Sequence, residues 1–342
     1  MQGETELDLI VRQFEENPSV RGKASIGLIS DVLGPSDWLG GPGDDAAILS
    51  AADFGEPRGG RTDSNSQGCL LVAGEAIFPP FVAADPHGAG LAAVLTNVND
   101  VAAMGGRPLA IVDTIVGPRE LAREALGGMR EAASLYGVPI VGGHLSVRDG
   151  PPALSAFILG RAMRPLSARR AAPGQVLLLA ACLDGEMRAD FPFFSAIERR
   201  GPLMRDDVAL LPAAAEAGVC VAAKDVSMAG LLGSLAMLLE PNHLGCAVEL
   251  ESVPRPGDVG LSRWLQAFPS YGFLLCSTPG RANGCRRLFE SGGLACRPIG
   301  TLDGSGQLRA RLNGQEALLM DLASKPVTGL ARPGRISPST DA

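Results

Sequence analysis

The sequence predicts a two-domain chain of mixed α+β and α/β character. Two observations carry that reading. The chain has 342 residues, more than one average domain holds. Strand-length apolar runs alternate with helix-length amphipathic segments in two successive series. Between the series, residues 164–174 (RPLSARRAAPG) carry Arg164, Arg169, Arg170, Pro165 and Pro173 without an apolar period, and read as a linker. The expected division is 1–163, linker 164–174, and 175–324. A tail over 325–342, rich in Pro, Ser, Gly and Arg, is expected to be disordered.

Residues 5–16 read as an amphipathic helix with Leu7, Ile10, Val11 and Phe14 on one side, limited by Pro18. Residues 34–44 read as a Gly/Pro loop, Ala46–Leu49 as a strand, 55–68 as an exposed connection and Leu70–Ile77 as a strand holding Glu75. The clearest helix spans 88–104. Leu91, Val94, Leu95, Val98, Val101 and Ala102 make its apolar face, with Asn97, Asp100 and Met104 off that face. Gly105 and Gly106 end it, and Pro108 keeps it from resuming. A strand at 110–116, a helix at 118–136 and strands at 138–141 and 153–162 complete the first series. The second series has strands at 176–182, 219–223, 246–250, 272–277, 296–302 and 307–312. Its helices are expected at 207–217, 228–239 and 281–291.

Hydrophobic residues make up 46% of the chain but aromatics only 4%, so the cores must be built from Ala, Val, Leu and Ile. The net charge of −7 and the lack of a basic stripe argue against nucleic acid as a partner. The longest apolar run, Val176–Leu183, is too short to span a bilayer. The seven cysteines are scattered, odd in number and without a C-x-x-C pair, which fits free thiols in a reducing cytoplasm.

Four segments carry candidate chemistry. In Gly41-Pro42-Gly43-Asp44-Asp45, Gly43 allows close backbone approach, and two adjacent carboxylates enter a strand facing opposite ways. They suit magnesium, which bridges carboxylates to phosphates, or they simply form a turn. Asp100, with Asn97 one turn before it, sits on a small-residue helix end, and is either a solvated polar face or a ligand. Gly142-Gly143-His144 follows a short apolar strand. The glycines leave room for phosphate, and His144 is either an acid/base group or a structural hydrogen-bonder. In Lys224-Asp225-Val226-Ser227-Met228-Ala229-Gly230, Asp225 or Ser227 either caps the next helix or leaves Lys224 and Asp225 facing a cleft.

In this order, Gly-Asp-Asp-Ala-Ala, Asn-Asp-Val-Ala-Ala-Met-Gly, Gly-Gly-His and Asp-Val-Ser-Met-Ala-Gly resemble the aminoimidazole ribonucleotide (AIR) synthase, or PurM-like, superfamily. It includes AIR synthase, thiamine-monophosphate kinase, selenophosphate synthetase and the hydrogenase-maturation carbamoyl dehydratase. The resemblance covers roughly residues 20–312. Lys224–Gly230 together with Phe268-Pro269-Ser270-Tyr271-Gly272-Phe273 looks like the AIR synthase-related branch. It implies an N-terminal mixed sheet that pairs with a second subunit's into a shared β-barrel, and a C-terminal α/β domain. It also implies ATP in a cleft near the subunit and domain boundaries.

Carried over by position, Asp44, Asp45, Glu75 and Asp100 would hold magnesium. Asn97, Gly142 and Gly143 would lie near the phosphates, with Gly43 and Lys23 as further nucleotide contacts. His144, Lys224 and Asp225 would serve the transferred phosphate or the nucleophile. Departures separate the chain from each named activity. It has Gly-Gly-His-Leu-Ser, not the Gly-Gly-Asp of thiamine-monophosphate kinases or the Gly-Gly-Glu of AIR synthases. Its first cysteine is Cys69, so the reactive N-terminal residue of selenophosphate synthetase has no counterpart, and it ends Pro338-Ser339-Thr340-Asp341-Ala342 rather than in cysteine. Met228-Ala229 follow Ser227 where the kinases carry Asp-Gly.

The expected activity is ATP- and magnesium-dependent phosphorylation of a small metabolite by a homodimer, with activation of an amide or carboxylate oxygen as one form. A thiamine-monophosphate-kinase-like enzyme is the nearest alternative. A nucleotide-binding accessory protein that matures a partner enzyme is an alternative of another class. Phe191–Phe194 and Trp264–Phe273 are candidate pocket segments.

Overall fold

The computed structural model describes residues 4–33, 43–50, 68–189 and 191–330. Most of the loop expected at 34–44 and of the connection at 55–68, and residues 331–342 of the tail, lie outside the described residues.

Helix α1 (Glu6–Glu16) begins at a reciprocal cap. Thr5 Oγ1 accepts the Asp8 N–H at 3.2 Å, and the Asp8 carboxylate accepts the Thr5 N–H at 3.0 Å. Its buried residues Leu7, Ile10 and Phe14 join the core of the second unit, beside Leu308 and Leu319. Residues 18–33, unassigned from sequence, form α2 (Pro18–Gly22), a 3-10 turn over Lys23–Ile26 and α3 (Gly27–Leu33).

The first sheet contains β1 (Ala47–Ser50), β2 (Cys69–Ala76), β3 (Arg107–Gly117), β4 (Ile140–Val147) and β5 (Ala153–Ala162) in the order β1-β2-β5-β3-β4. Only β3 and β4 are parallel; the other neighbours are antiparallel. A parallel pair needs a crossover, and α6 (Arg119–Tyr136) supplies it. After the short α4 (Pro79–Ala84), α5 (Pro86–Ala103) packs closely against α6. Gly90 faces the Ala125 carbonyl and Gly128 the His87 carbonyl, and a Cβ at either would come within 2.0 Å of the oxygen. Glycine there lets the two helix backbones touch.

Three expectations need correction in this unit. The strand expected at 110–116 begins earlier, at Arg107, so Pro108 lies inside β3, at an irregularity between Pro108 and Ala110, where proline is tolerated. Strand β4 does not stop at 141 but runs through Gly142-Gly143-His144, so the glycine pair is not a strand-end loop. Asn97, Asp100 and Met104 do leave the apolar face of α5, but they are buried, Asp100 against Asp225 of the second unit. A helix enclosed on all sides carries apolar residues on most of them.

The second sheet has the order β15-β14-β10-β13-β6-β12-β9. Its strands are β6 (Val176–Ala181), β9 (Ala222–Asp225), β10 (Gly245–Glu249), β12 (Gly272–Ser277), β13 (Ala295–Asp303), β14 (Gln307–Leu312) and β15 (Gln315–Asp321). The remaining strands, β7 (Glu186–Met187), β8 (Phe193–Ser195) and β11 (Phe268–Pro269), form a small separate sheet. Along β6, Leu178 and Ala180 enter the core shared with the first unit, whereas Leu177, Leu179 and Ala181 enter the opposite core. Both faces are buried, which is why this strand reads as an unbroken apolar run. Helices α10 (Gly230–Leu239) and α11 (Leu261–Gln266) contribute to that opposite core with α1.

On the shared face lie α7 (Ile197–Arg200), α8 (Met204–Val208), α9 (Leu210–Glu216) and α12 (Pro279–Ser291). The single helix expected at 207–217 is split between α8 and α9, because Pro212 has no N–H to give the Val208 carbonyl. Both sheets are open among the described residues.

Two segments outside the sheets and long helices are packed into the fold. In 164–174, Leu166, Ser167, Ala168 and Ala171 are buried. At the start of the tail, the buried Glu240 carboxylate accepts the Val327 and Thr328 N–H groups at 2.8 Å each and the Thr328 hydroxyl at 2.7 Å. Glu240→Ala strands these donors and should lower unfolding free energy by about 3 kcal/mol. Glu240→Gln keeps one acceptor and should lose less; chemical denaturation of both variants measures the difference.

Candidate functional site

A cavity of about 280 Å³ opens where the two units meet. Four elements deliver its acidic end. Asp45 precedes β1, Glu75 lies near the end of β2, Asp100 projects from α5 and Asp225 ends β9. One carboxylate oxygen each from Asp45, Asp100 and Asp225 lies within 4.8 Å of the others. Lys224 Nζ donates to Asp225 Oδ1 at 2.8 Å and also pairs with Asp45. The Asp225 N–H adds a bond to Asp45 Oδ2 at 3.2 Å. Neither Asp225 nor Ser227 caps α10, whose first turn receives no side-chain cap.

One ammonium cannot balance this many buried carboxylates, and the charges show it. Burial, with the Asp225 charge adding, pushes the Asp45 carboxyl up to about 7 against the pull of Lys224. Burial followed by the charges of Asp225, Glu75 and Asp45 holds Asp100 well above the ordinary carboxylate range. Glu75 is also raised by burial, with Lys23 opposing. At Lys224, burial works to lower the pKa, but Asp225 and Asp45 outweigh it and the net shift is upward. A cluster of buried carboxylates with excess negative charge on hard oxygen donors has the composition that a small divalent cation such as magnesium requires. Asp45, Asp100 and Asp225 fit that ion on their spacing.

Asp44 has a different job. Ser167 Oγ donates to its Oδ2 at 2.6 Å and the Ala168 N–H to its Oδ1 at 2.7 Å. Both oxygens are thereby used to tie the β1 entrance to the inter-unit segment. Adjacent residues face opposite ways, so Asp45 enters the cluster while Asp44 makes the tie. Asp44→Ala should cost about 2 kcal/mol of stability yet leave magnesium-induced stabilisation intact, read by thermal shift with and without the ion.

Of the sequence candidates, the cavity brings together Lys23, Gly43, Asp44, Asp45, Glu75, Asp100, Lys224 and Asp225. Asn97 is not among its lining residues; it is buried and its Nδ2 donates to the Ala93 carbonyl at 2.8 Å. Gly142, Gly143 and His144 are exposed on β4, the edge strand of the first sheet, and do not line the cavity. Sequence reasoning missed Asn99, Glu240, Thr328 and the phenylalanines 78 and 81, all of which line it. Asn99 stands one residue before Asp100 and was findable on that ground; its Nδ2 donates to the Ser270 carbonyl at 3.2 Å.

The fold and the site thus define a two-unit α/β protein with a carboxylate-rich cavity at the junction of its units. Residues 43–162 match the family model "AIR synthase related protein, N-terminal domain", and residues 186–313 match "AIR synthase related protein, C-terminal domain". The chain belongs to the AIR synthase related family. An uncharacterized protein of Synechocystis is 36% identical over 268 residues, covering 78% of this chain and 83% of that protein. Thiamine-monophosphate kinase of Rhodopirellula baltica is 34% identical over 171 residues, 48% of this chain and 50% of the kinase. The solved structure of AaThiL complexed with AMPPCP and TMP superimposes with a TM-score of 0.63 at 18% identity, covering 85% of this chain and 93% of that one. Among the described residues, no helix is long and apolar enough to cross a membrane.

Proposed function

We propose that the protein is an ATP- and magnesium-dependent phosphotransferase or synthetase acting on a small metabolite. The observation that carries this reading is the buried Asp45–Asp100–Asp225 cluster. Asp45, Asp100 and Asp225 would hold magnesium, with Glu75 beside them. The ion, when bound, supplies charge neutralisation for a transferred phosphoryl group. Lys224 fixes the carboxylates of Asp45 and Asp225 and keeps one positive charge at the phosphoryl end. Lys23, on the cavity wall within electrostatic reach of Glu75, is placed to meet a phosphate chain. The kinase relative and the AMPPCP-bound structural neighbour support ATP as the donor. Full-length protein incubated with Mg-ATP and a metabolite extract should release ADP above its background rate. No Mg-ATP thermal shift and no ADP release would sink the reading.

The homodimer belongs to the same proposal. The face of the first sheet turned away from α5 and α6 exposes Val72, Val112, Phe157 and Leu159, and edge strand β4 exposes Val141 near its start. Exposed apolar residues gathered on one sheet face mark an association surface. A second copy there would cover them and enclose His144, Gly142 and Gly143. Phe157→Lys with Val141→Asp should shift the mass measured by light scattering from two chains to one. A wild-type monomer at ~50 μM, some fifty times a micromolar Kd, would refute the dimer.

A further inference from the structure

The cavity has a second end, of opposite chemistry. Aromatic residues make up only 4% of the sequence, yet four of its eleven phenylalanines line the cavity: Phe81, Phe191 and Phe268 beside Ala92, and Phe78, whose carbonyl accepts the Phe81 N–H at 2.9 Å. Phe81 and Phe191 stack with ring centroids 5.4 Å apart and planes 13° from parallel. Phe268 stands edge-on to Phe191 at 5.6 Å. Phe78 joins none of these ring pairs and is 52% exposed, so core packing does not account for it. Of the charged groups bordering this end, Arg188 bonds Asp85 at 3.1 Å and Glu198 accepts the Ser195 hydroxyl at 2.7 Å.

Helix α5 connects the two ends. Ala92, Leu95, Thr96, Asn99 and Asp100 line the cavity at helical spacing, Ala92 also bordering Phe81, Phe191 and Phe268. Eight residues at 1.5 Å each set the ends about 12 Å apart.

Building on the phosphotransferase reading, we propose that the phenylalanine end is the acceptor subsite. The acceptor is then a small metabolite with a planar ring at one end. Its reacting oxygen lies about 12 Å away, at the carboxylates. Planar rings gain from edge-to-face and offset contacts with phenylalanine that a saturated ring of equal size cannot make. The nucleotide base is the competing source of a planar ring, and the test separates the two.

The probes are 2-naphthylmethanol and its saturated decahydro counterpart, titrated into the full chain by saturation-transfer NMR with and without saturating Mg-AMPPCP. The naphthyl probe should bind about fivefold more tightly than the saturated one, from one or two ring contacts. It should remain bound when Mg-AMPPCP is present. Phe78→Ala, at an exposed position, should weaken the probe about fivefold or more, with the melting temperature and AMPPCP affinity unchanged. Displacement of the probe by AMPPCP, or weakened AMPPCP binding in Phe78→Ala, would assign the rings to the nucleotide base and overturn the proposal. Equal binding of the two probes would overturn it as well. Absence of AMPPCP binding beside intact probe binding would instead strike the nucleotide reading and leave a ring-binding site.

Discussion

Asp100→Asn should make the metal-free protein more stable and the active protein nearly inert. Asp100 is buried on α5 within reach of Asp45 and Asp225, and the charges of Asp225, Glu75 and Asp45 all act against its ionised form. An amide of the same shape removes one of these charges and keeps the packing. Relief of like-charge repulsion in a buried site should therefore raise the unfolding free energy by about 1–2 kcal/mol in EDTA. The same change deletes one hard ligand, so the added stability from magnesium and Mg-ATP should shrink or vanish. Loss of one preorganised charge contact at a reacting phosphoryl group is worth about 3 kcal/mol, or about 100-fold in ADP formation. Asp45→Asn should behave similarly in turnover but gain less stability, because Asp45 is also the partner of Lys224 and the acceptor of the Asp225 N–H. A purely structural cluster predicts something else: both variants lose stability and magnesium leaves the wild type unmoved. Denaturation with and without the ion decides between them.

Much of this site was legible in the sequence, and the reasons are local. Gly43-Asp44-Asp45 before an apolar strand and Asp100 off an apolar helix face are patterns that periodicity exposes. Periodicity could not say that Asp44 ties down Ser167 and Ala168 while Asp45 enters the cluster, because the partner lies more than 120 residues away. Nor could it tell a solvated Asp100 from a buried one, since that depends on a second unit packing over the helix. The strands β6 and β12 were readable as apolar runs, whereas β15, with Gln315 and Glu316 at its start, was hidden by its polar edge. The glycine pair before His144 reads as a loop, yet the space at Gly143 accommodates the Asp113 carboxylate of the neighbouring strand. Glu240 gave no local signal because its partners, Val327 and Thr328, come from a stretch whose composition suggests disorder.

The same buried charges fix the sign of the pH dependence. Asp45 has its folded-state pKa near 7, above the ordinary aspartate value of 3.8, and Asp100 and Glu75 are shifted the same way. A carboxyl raised on folding binds its proton more tightly in the native state. Its contribution to stability is complete below the unfolded value and is lost as pH climbs through the folded one. In EDTA, stability arising from this cluster should therefore decline between about pH 4 and pH 7, by up to ~4 kcal/mol for Asp45 at 1.36 kcal/mol per unit. Magnesium competes with these protons, so its stabilising effect should be small at pH 5 and grow toward pH 8. The two melting curves against pH should thus diverge, with the metal-free curve falling and the magnesium curve held up. Asp100→Asn should flatten the metal-free decline, since removing its charge lets Asp45 ionise more easily. Parallel curves with and without magnesium across this range would show that the carboxylates hold no ion. A metal-free stability that rises from pH 4 to pH 7 in the wild type, and by the same amount in Asp100→Asn, would show that they are not charge-strained.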